Sequence, residues 1–561
     1  MSSSPTLESL PFDVLFQIAA YLDIRDHIHL SHSSRSIFSS MKDTIIARAT
    51  VKNILLGSKG QAAWATKTGY YQVIRHRFDV HEAVATASPY SVSVLAYAAD
   101  FLYHQGFLCY RVKNQIRLLD VHNTGQKELV LDLDHMNSYD IGIEYILSDV
   151  GEQTTLLWFS CGILILLFSQ ANSNVADLVA IDLQPRPDQA RKSRLLLQEP
   201  VSSSDPIVVR HTRLYIWFGT FTAVNGRQSA LVLRGMHFKT LQRTEFSVEV
   251  LVDGELGKRV CFEIYQGHLY VLSIIDQQES SFYHWSCYSP DHENNLGNGR
   301  FWRREHREGP INEMWADLSI QVDQEKGRPV ILECRREWLD GGSENHRTYY
   351  TTPLPTPDEA LAMHTKGFTR PTDMHEISRP LDPRFDFIPA YTRHSSYHLA
   401  AATYVDLVDD PKLQLDGVRS QHRLRLRTKS RGCSCAIDEG GVEHFDSRGV
   451  CLWPSEDAPS ELLALLCPDS STSLVRAVCD ERSLIYSTSA EGLPPYHHML
   501  ILINFDPMIR FPYLTSLRKQ KASTTSTRKV LDAPQPDLHW SHARVQNAEA
   551  FHLAIRYGYR P

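Results

Sequence analysis

The chain of 561 residues carries 58 Lys and Arg against 65 Asp and Glu, a formal net charge of −7, with 42% hydrophobic and 22% charged residues. This ordinary globular composition excludes a collagen-like, coiled-coil or largely disordered chain. The mildly acidic balance argues against a general nucleic-acid binder, whose affinity rests on a basic surface that displaces phosphate counterions.

The opening residues, Met1 to Ser9, lack the basic start and apolar core of a secretory signal. The most apolar stretch, Leu156 to Phe168, is shorter than the roughly 20 residues a membrane helix needs. Ser160, Cys161 and Gly162 split it into two strand-sized pieces. Ten cysteines are scattered singly and no Asn-x-Ser/Thr sequon occurs. That pattern suits reduced, buried thiols and predicts a cytoplasmic or nuclear protein with no membrane partner.

Residues Leu10 to Ile46 predict three short helices. Pro11 suits a first helical turn, and Asp13 places negative charge at the positive end of the helix dipole. Val14, Leu15, Ile18, Tyr21 and Leu22 recur at spacings of three and four and are assigned to one face. Asp23 breaks the run and can cap a second helix through Ile24, Ile28 and Leu30. A third helical pattern runs through Ile37, Phe38, Met41, Ile45 and Ile46. Three such helices bury too little apolar surface to stand alone, so they must dock on the rest of the chain or on a partner.

Leu10-Pro11, Asp13-Val14-Leu15, Ile18, Tyr21-Leu22, Asp26, Leu30 and Ser33-Ser34-Arg35 resemble the F-box in order and spacing. His27 and His29 are more polar than the second helix of that family often is, and no Trp-containing ending follows the third helix. The resemblance covers about a tenth of the chain. It implies that Leu10, Pro11, Val14, Leu15, Ile18, Leu22, Leu30 and Phe38 bind a Skp-type adaptor and, through it, a cullin. The alternative is an amphipathic cap folded onto the chain's own β-domain.

After residue 90 the helical period gives way to short apolar runs separated by turn residues. Runs beginning at Gly106, Gly162, Arg213, His268 and Arg328 are roughly 50 to 60 residues apart, and a comparable run begins at Ser483. Each is followed by a second run, and further strands flank the pair. Four-stranded units at such a period predict a mainly β fold, a β-propeller of about seven blades. Two β-sandwiches are the competing architecture. Asp120, Asp182 and Asp506 recur near the end of the second run, faintly like the WD repeat, without its Gly-His and Trp-Asp pairs. The expected organisation is an F-box at 5–50, a linker at 51–90, a propeller-like substrate-binding domain at 91–515, a flexible basic segment at 516–537 and a C-terminal segment at 538–561 that packs back. Within the propeller, the proline-dotted stretch Thr352 to His394 reads as a long loop.

Motif searches find no zincin, nucleophile-elbow, P-loop or dinucleotide signature. Cys433, Cys435, His444 and Cys451 could form a zinc site, though Cys-x-Cys is not its usual spacing. His27, His29 and His32 are read as exposed. No cofactor or metal is expected. Arg423, Arg425, Arg427, Lys429 and Arg431 alternate with Leu424, Leu426, Thr428 and Ser430. On a strand, period two puts the five cations on one face. That face is either a solvated surface or a dock for an acidic or phosphorylated target. A second basic run, Arg518, Lys519, Lys521, Arg528 and Lys529, is a candidate nuclear address.

The functional expectation is a non-catalytic substrate receptor of an SCF-type ubiquitin ligase, with an unknown target protein on the propeller. The rivals are a scaffold without a degradation target and a propeller enzyme with acidic or His residues in its central channel.

Overall fold

A computed structural model describes residues 7–54, 67–123 and most of 128–516, with strand pieces at 540–543 and 551–554; the larger stretches outside the description are 134–153, 304–316, 366–391, 410–423, 431–449 and 467–474. The N-terminal unit contains α1 (Phe12–Tyr21), α2 (Ile24–Ser31), α3 (Arg35–Met41), α4 (Thr44–Ile54) and α5 (Tyr70–Ala85). Asp23 caps α2 by accepting the Asp26 amide at 2.7 Å, as its sequence position implies, and Ser34 caps α3 through the Ile37 amide at 3.2 Å. The third expected helix is in fact two. Asp43 takes the Ile45 amide at 2.8 Å and starts α4 as a separate element. The stretch read as linker holds α5, a 16-residue helix.

Two small cores hold this unit. Leu15, Ala19, Ile37, Met41 and Ile46 form one, while Ile24, Ile28, Ala47 and Val51 pack with Tyr71, Val73, Ile74 and Phe78 of α5 to form the other. The last turn of α5 belongs to a third core, where Ala83 and Val84 meet Leu424, Leu426, Tyr486 and Ile501. The chain's own α5 thus completes the short helices and joins them to the β-domain.

That domain is a seven-bladed propeller. Blade I comprises Asp100–His104, Phe107–Val112, Gln115–Asp120 and Glu128–Asp132. Blade II comprises Thr154–Ser160, Ile163–Ser169, Val175–Asp182 and Leu195–Ser202. Blade III runs through Ile207–His211, Tyr215–Val224, Gln228–His237 and Arg243–Val252, and blade IV through Val260–Tyr265, His268–Gln277, Ser280–Tyr288 and Asn295–Trp302. Blade V has three described strands, Asp317–Asp323, Arg328–Trp338 and Asn345–Pro353, followed by α6 (Pro357–Thr365), which packs on the outer strand of blade IV. The stretch expected as a loop therefore opens with a helix. Blade VI is Thr392–His398, Thr403–Asp409, Leu424–Ser430 and Cys451–Trp453, followed by α7 (Ser460–Leu466). Blade VII takes Arg476–Cys479, Ser483–Thr488 and His498–Asn504 from the end of the chain and Ser91–Ala98 from its beginning. The register aligns Val92 with Ile503 and Val94 with Ile501, so the ring closes by pairing strands about 400 residues apart. Phe551–Ala554 pairs with Ser91–Ala98, and Trp540–Ala543 with the outer strand of blade I.

The recurring turn residues now have a physical role. Gln105 and Gly106, with φ of 49° and 83°, make a tight two-residue turn between the first two strands of blade I. Such turns need positive φ at both positions. A Cβ on Gly106 would lie 2.4 Å from His122 Nδ1, so glycine is needed for space as well. Cys161-Gly162 and Gln266-Gly267 repeat the geometry. The recurring aspartates close the third strands of blades I, II and VII: Asp120 accepts the amides of His122 and Asn123, Asp182 that of Gln184, and Asp506 that of Met508. Asp182 also pairs with Arg213 of blade III at 2.8 Å.

Candidate docking surface

α1 presents two apolar faces, not the single face expected. Leu15 is 5% exposed inside the unit, and Leu22 and Leu30 pack against the same core. Phe38 lies edge-on to Tyr71 at 5.7 Å. These four residues of the expected adaptor set therefore hold the helices to one another. The others are placed differently. Pro11 is exposed, Val14 is 40% exposed, and Leu10 and Ile18 are half-buried. Spacings of four and three put Val14, Ile18 and Tyr21 on one outward stripe of α1, and Leu10 precedes the helix at its N-terminal end. Tyr21, which the sequence places on the same helix face as Ile18 and outside the adaptor set, is 91% exposed. Phe12 adds a further exposed apolar side chain on the same helix.

His27 corrects another expectation, because it is fully buried. Nδ1 lies 3.2 Å from Thr50 Oγ1, and burial lowers the imidazole to about 4. A histidine lowered in the fold contributes stability that is present above its unfolded value near 6.5 and is lost as pH falls through 4. Acidification across that window should loosen the helical unit by about 3 kcal/mol. Faster hydrogen exchange of α2 and α4 amides would report this, and His27→Gln should flatten the pH dependence.

The basic strand is also corrected. Arg423 and Arg431 lie outside the described residues. Arg425 and Lys429 are each 4% exposed, and Arg427 pairs with Asp406 at 2.9 Å. The register sets Lys429, Arg427 and Arg425 against Tyr404, Asp406 and Val408, and Tyr404 packs on Tyr349 of blade V at 5.3 Å. The cations therefore face the neighbouring blade and offer no dock to an acidic target. Of the conceivable zinc ligands, Cys433, Cys435 and His444 lie outside the described residues. Among the described residues no group of three His, Cys, Asp or Glu could hold a metal, and no helix is long and apolar enough to cross a membrane.

No family model and no curated protein matches the chain. Among solved structures it is similar to Drosophila Semaphorin 2a, at TM-score 0.35 and 9% identity over 73% of this chain and 74% of that one. A second is prolyl oligopeptidase B from Galerina marginata, at TM-score 0.35 and 9% identity over 80% of this chain and 54% of that one. A third is the β-propeller domain of the Trilobed protease from Pyrococcus furiosus, at TM-score 0.31 and 7% identity over 60% of this chain and 79% of that one. A prolyl endopeptidase, an acylaminoacyl peptidase and a polysaccharide lyase are also similar, at 9–11% identity. The expectation of a non-catalytic chain is accordingly withdrawn, since peptidases and a lyase stand among its structural neighbours. Likenesses this distant transfer no reaction or ligand to the chain.

Proposed function

We propose that the helical unit is an F-box that seats a Skp-type adaptor on α1, and that the propeller holds a target protein for an SCF-type, cullin-based ubiquitin ligase. One observation supports this reading above the others. α5 covers the inner faces of the short helices, yet on α1 Val14 and Tyr21 are left exposed with the half-buried Ile18 between them. An amphipathic cap serving only this chain would turn these side chains inward. Exposed apolar side chains gathered on one helix are the usual anchor of a helix-mediated interface. Holding a target beside the ubiquitin-charged enzyme raises the effective concentration of its lysines. Such a receptor would work in the cytoplasm or the nucleus.

The test is direct binding of a recombinant Skp-type adaptor to the full chain by calorimetry. Val14→Asp and Ile18→Asp should each weaken binding about 30-fold or more, the scale of a truncated hot spot. Both should leave the melting temperature within a few degrees. Absence of adaptor binding to the intact chain, or binding that survives both changes, would refute the assignment.

A further inference from the structure

Four consecutive blades bring an unusual set of side chains to the inner edge of the ring: His104 from blade I, Trp158 from blade II, Arg210 from blade III and Glu263 from blade IV. All four sit on the first strand of their blade, and first strands of neighbouring blades touch around the centre. The His104 ring lies 4.6 Å from the Trp158 ring, and the Arg210 guanidinium carbon lies 3.7 Å from the Trp158 ring centre. Arg210 donates Nε to Phe262 O at 3.0 Å and Nη1 to Val209 O at 2.8 Å. Glu263 accepts the amide of Ile264 at 3.0 Å.

Two features separate this ring from the structural ion pairs elsewhere. Arg210 and Glu263 feel each other's charge, but backbone bonds hold each in place and they form no ion pair, whereas Arg213 and Asp182 close to 2.8 Å. Burial lowers His104 to about 4, lowers Arg210 and raises Glu263. Yet all four side chains keep partial accessibility, and none is among the buried polar atoms without a partner. Blades of a propeller surround a central channel, and partly exposed side chains on its innermost strands face that channel. A separated cation and carboxylate in such a place are costly unless something between them answers both. The α5 contacts from His76, Arg77 and His81 fall on the turns of blades VII, V and VI, away from these four blades.

We propose that this ring binds a small zwitterion of the α-amino acid class, its carboxylate on the open edge of Arg210, its ammonium facing Glu263 and its body against Trp158. A lone anion would be repelled by Glu263, and a lone cation by Arg210. A zwitterion satisfies both ends, and Arg210 matches a planar carboxylate. The site is independent of the adaptor reading.

Calorimetric titration of the full chain with glycine, L-leucine and L-phenylalanine tests the proposal. At least one should bind saturably. Its N-acetyl form, which lacks the ammonium, and its amide, which lacks the carboxylate, should each bind about tenfold more weakly or worse. Glu263→Gln keeps an oxygen for the Ile264 amide. It should weaken the free amino acid and strengthen the N-acetyl form, because the repulsion of a lone carboxylate is removed with the charge. No saturable binding of the three up to millimolar concentrations, or equal binding of the N-acetyl form, would overturn it.

Discussion

Glu333→Ala should cost about 3–5 kcal/mol of stability, the scale for removing one partner of a buried ion pair. Glu333 stands on the second strand of blade V, fully buried. Its Oε1 receives Nε and Nη2 of Arg303, at 2.9 and 2.6 Å, from the end of blade IV. Its Oε2 receives Arg335 Nε at 2.6 Å and the Tyr283 hydroxyl. Arg303 also holds Ser281 at 3.0 Å, and Arg335 lies 3.8 Å from the ring centre of Tyr350. Removing the carboxylate leaves two buried guanidiniums without their shared acceptor, at the seam between two blades. Burial by itself would raise the Glu333 carboxyl, but Arg303 and Arg335 overcome it and hold the group at about 2. Its contribution is therefore complete above the unfolded value near 4.5 and is lost as pH falls through 2. Urea midpoints of the two proteins should differ most at neutral pH and converge at strong acid. A constant difference across that range would show that the carboxylate's charge is not what matters.

Val94→Asp should open the ring. Val94 is fully buried in the strand that closes blade VII, aligned with Ile501 and packed in the core that also contains Val405, Leu484 and Ile503. A carboxylate there has no partner, and the expected loss exceeds about 4 kcal/mol. Closure depends on the same neighbourhood. Tyr103 of blade I donates to Asp480 of blade VII, and His122 Nε2 reaches the same carboxylate at 3.0 Å. Small-angle scattering should show a larger radius for Val94→Asp, and limited proteolysis should release fragments. Val175→Asp, on a strand of blade II but 52% exposed, is the matched control and should leave both measurements unchanged.

The propeller was legible because its turns are spelled locally. Gln105-Gly106, Cys161-Gly162 and Gln266-Gly267 mark the strand pairs, and Asp120, Asp182 and Asp506 mark where third strands end. The closing strand was not legible. Nothing near Ser91–Ala98 reveals a partner at His498–Asn504, because pairing at that separation leaves no local signature. The basic strand shows the limit of period two. Alternation says which residues share a face, and here they do, but only Tyr404, Asp406 and the adjoining blade decide that the face is dry. α1 shows the same limit for helical period. Val14 and Leu15 are neighbours in sequence and were assigned together, but 100° of rotation sends one to solvent and the other to the core. Polarity alone places His27 at the surface, and it is buried. The elements that cover it, α4 and α5, come later in the chain.

The double membership of α5 governs how the two halves of the molecule can move. Tyr71, Ile74 and Phe78 are bricks in one wall, and Ala83 and Val84 are bricks in the next, within a single unbroken rod. A hinge would need a joint between those walls, and a continuous helix supplies none. The helical unit and the ring are thereby kept at a set bearing and span, fixed by masonry and not by a tether.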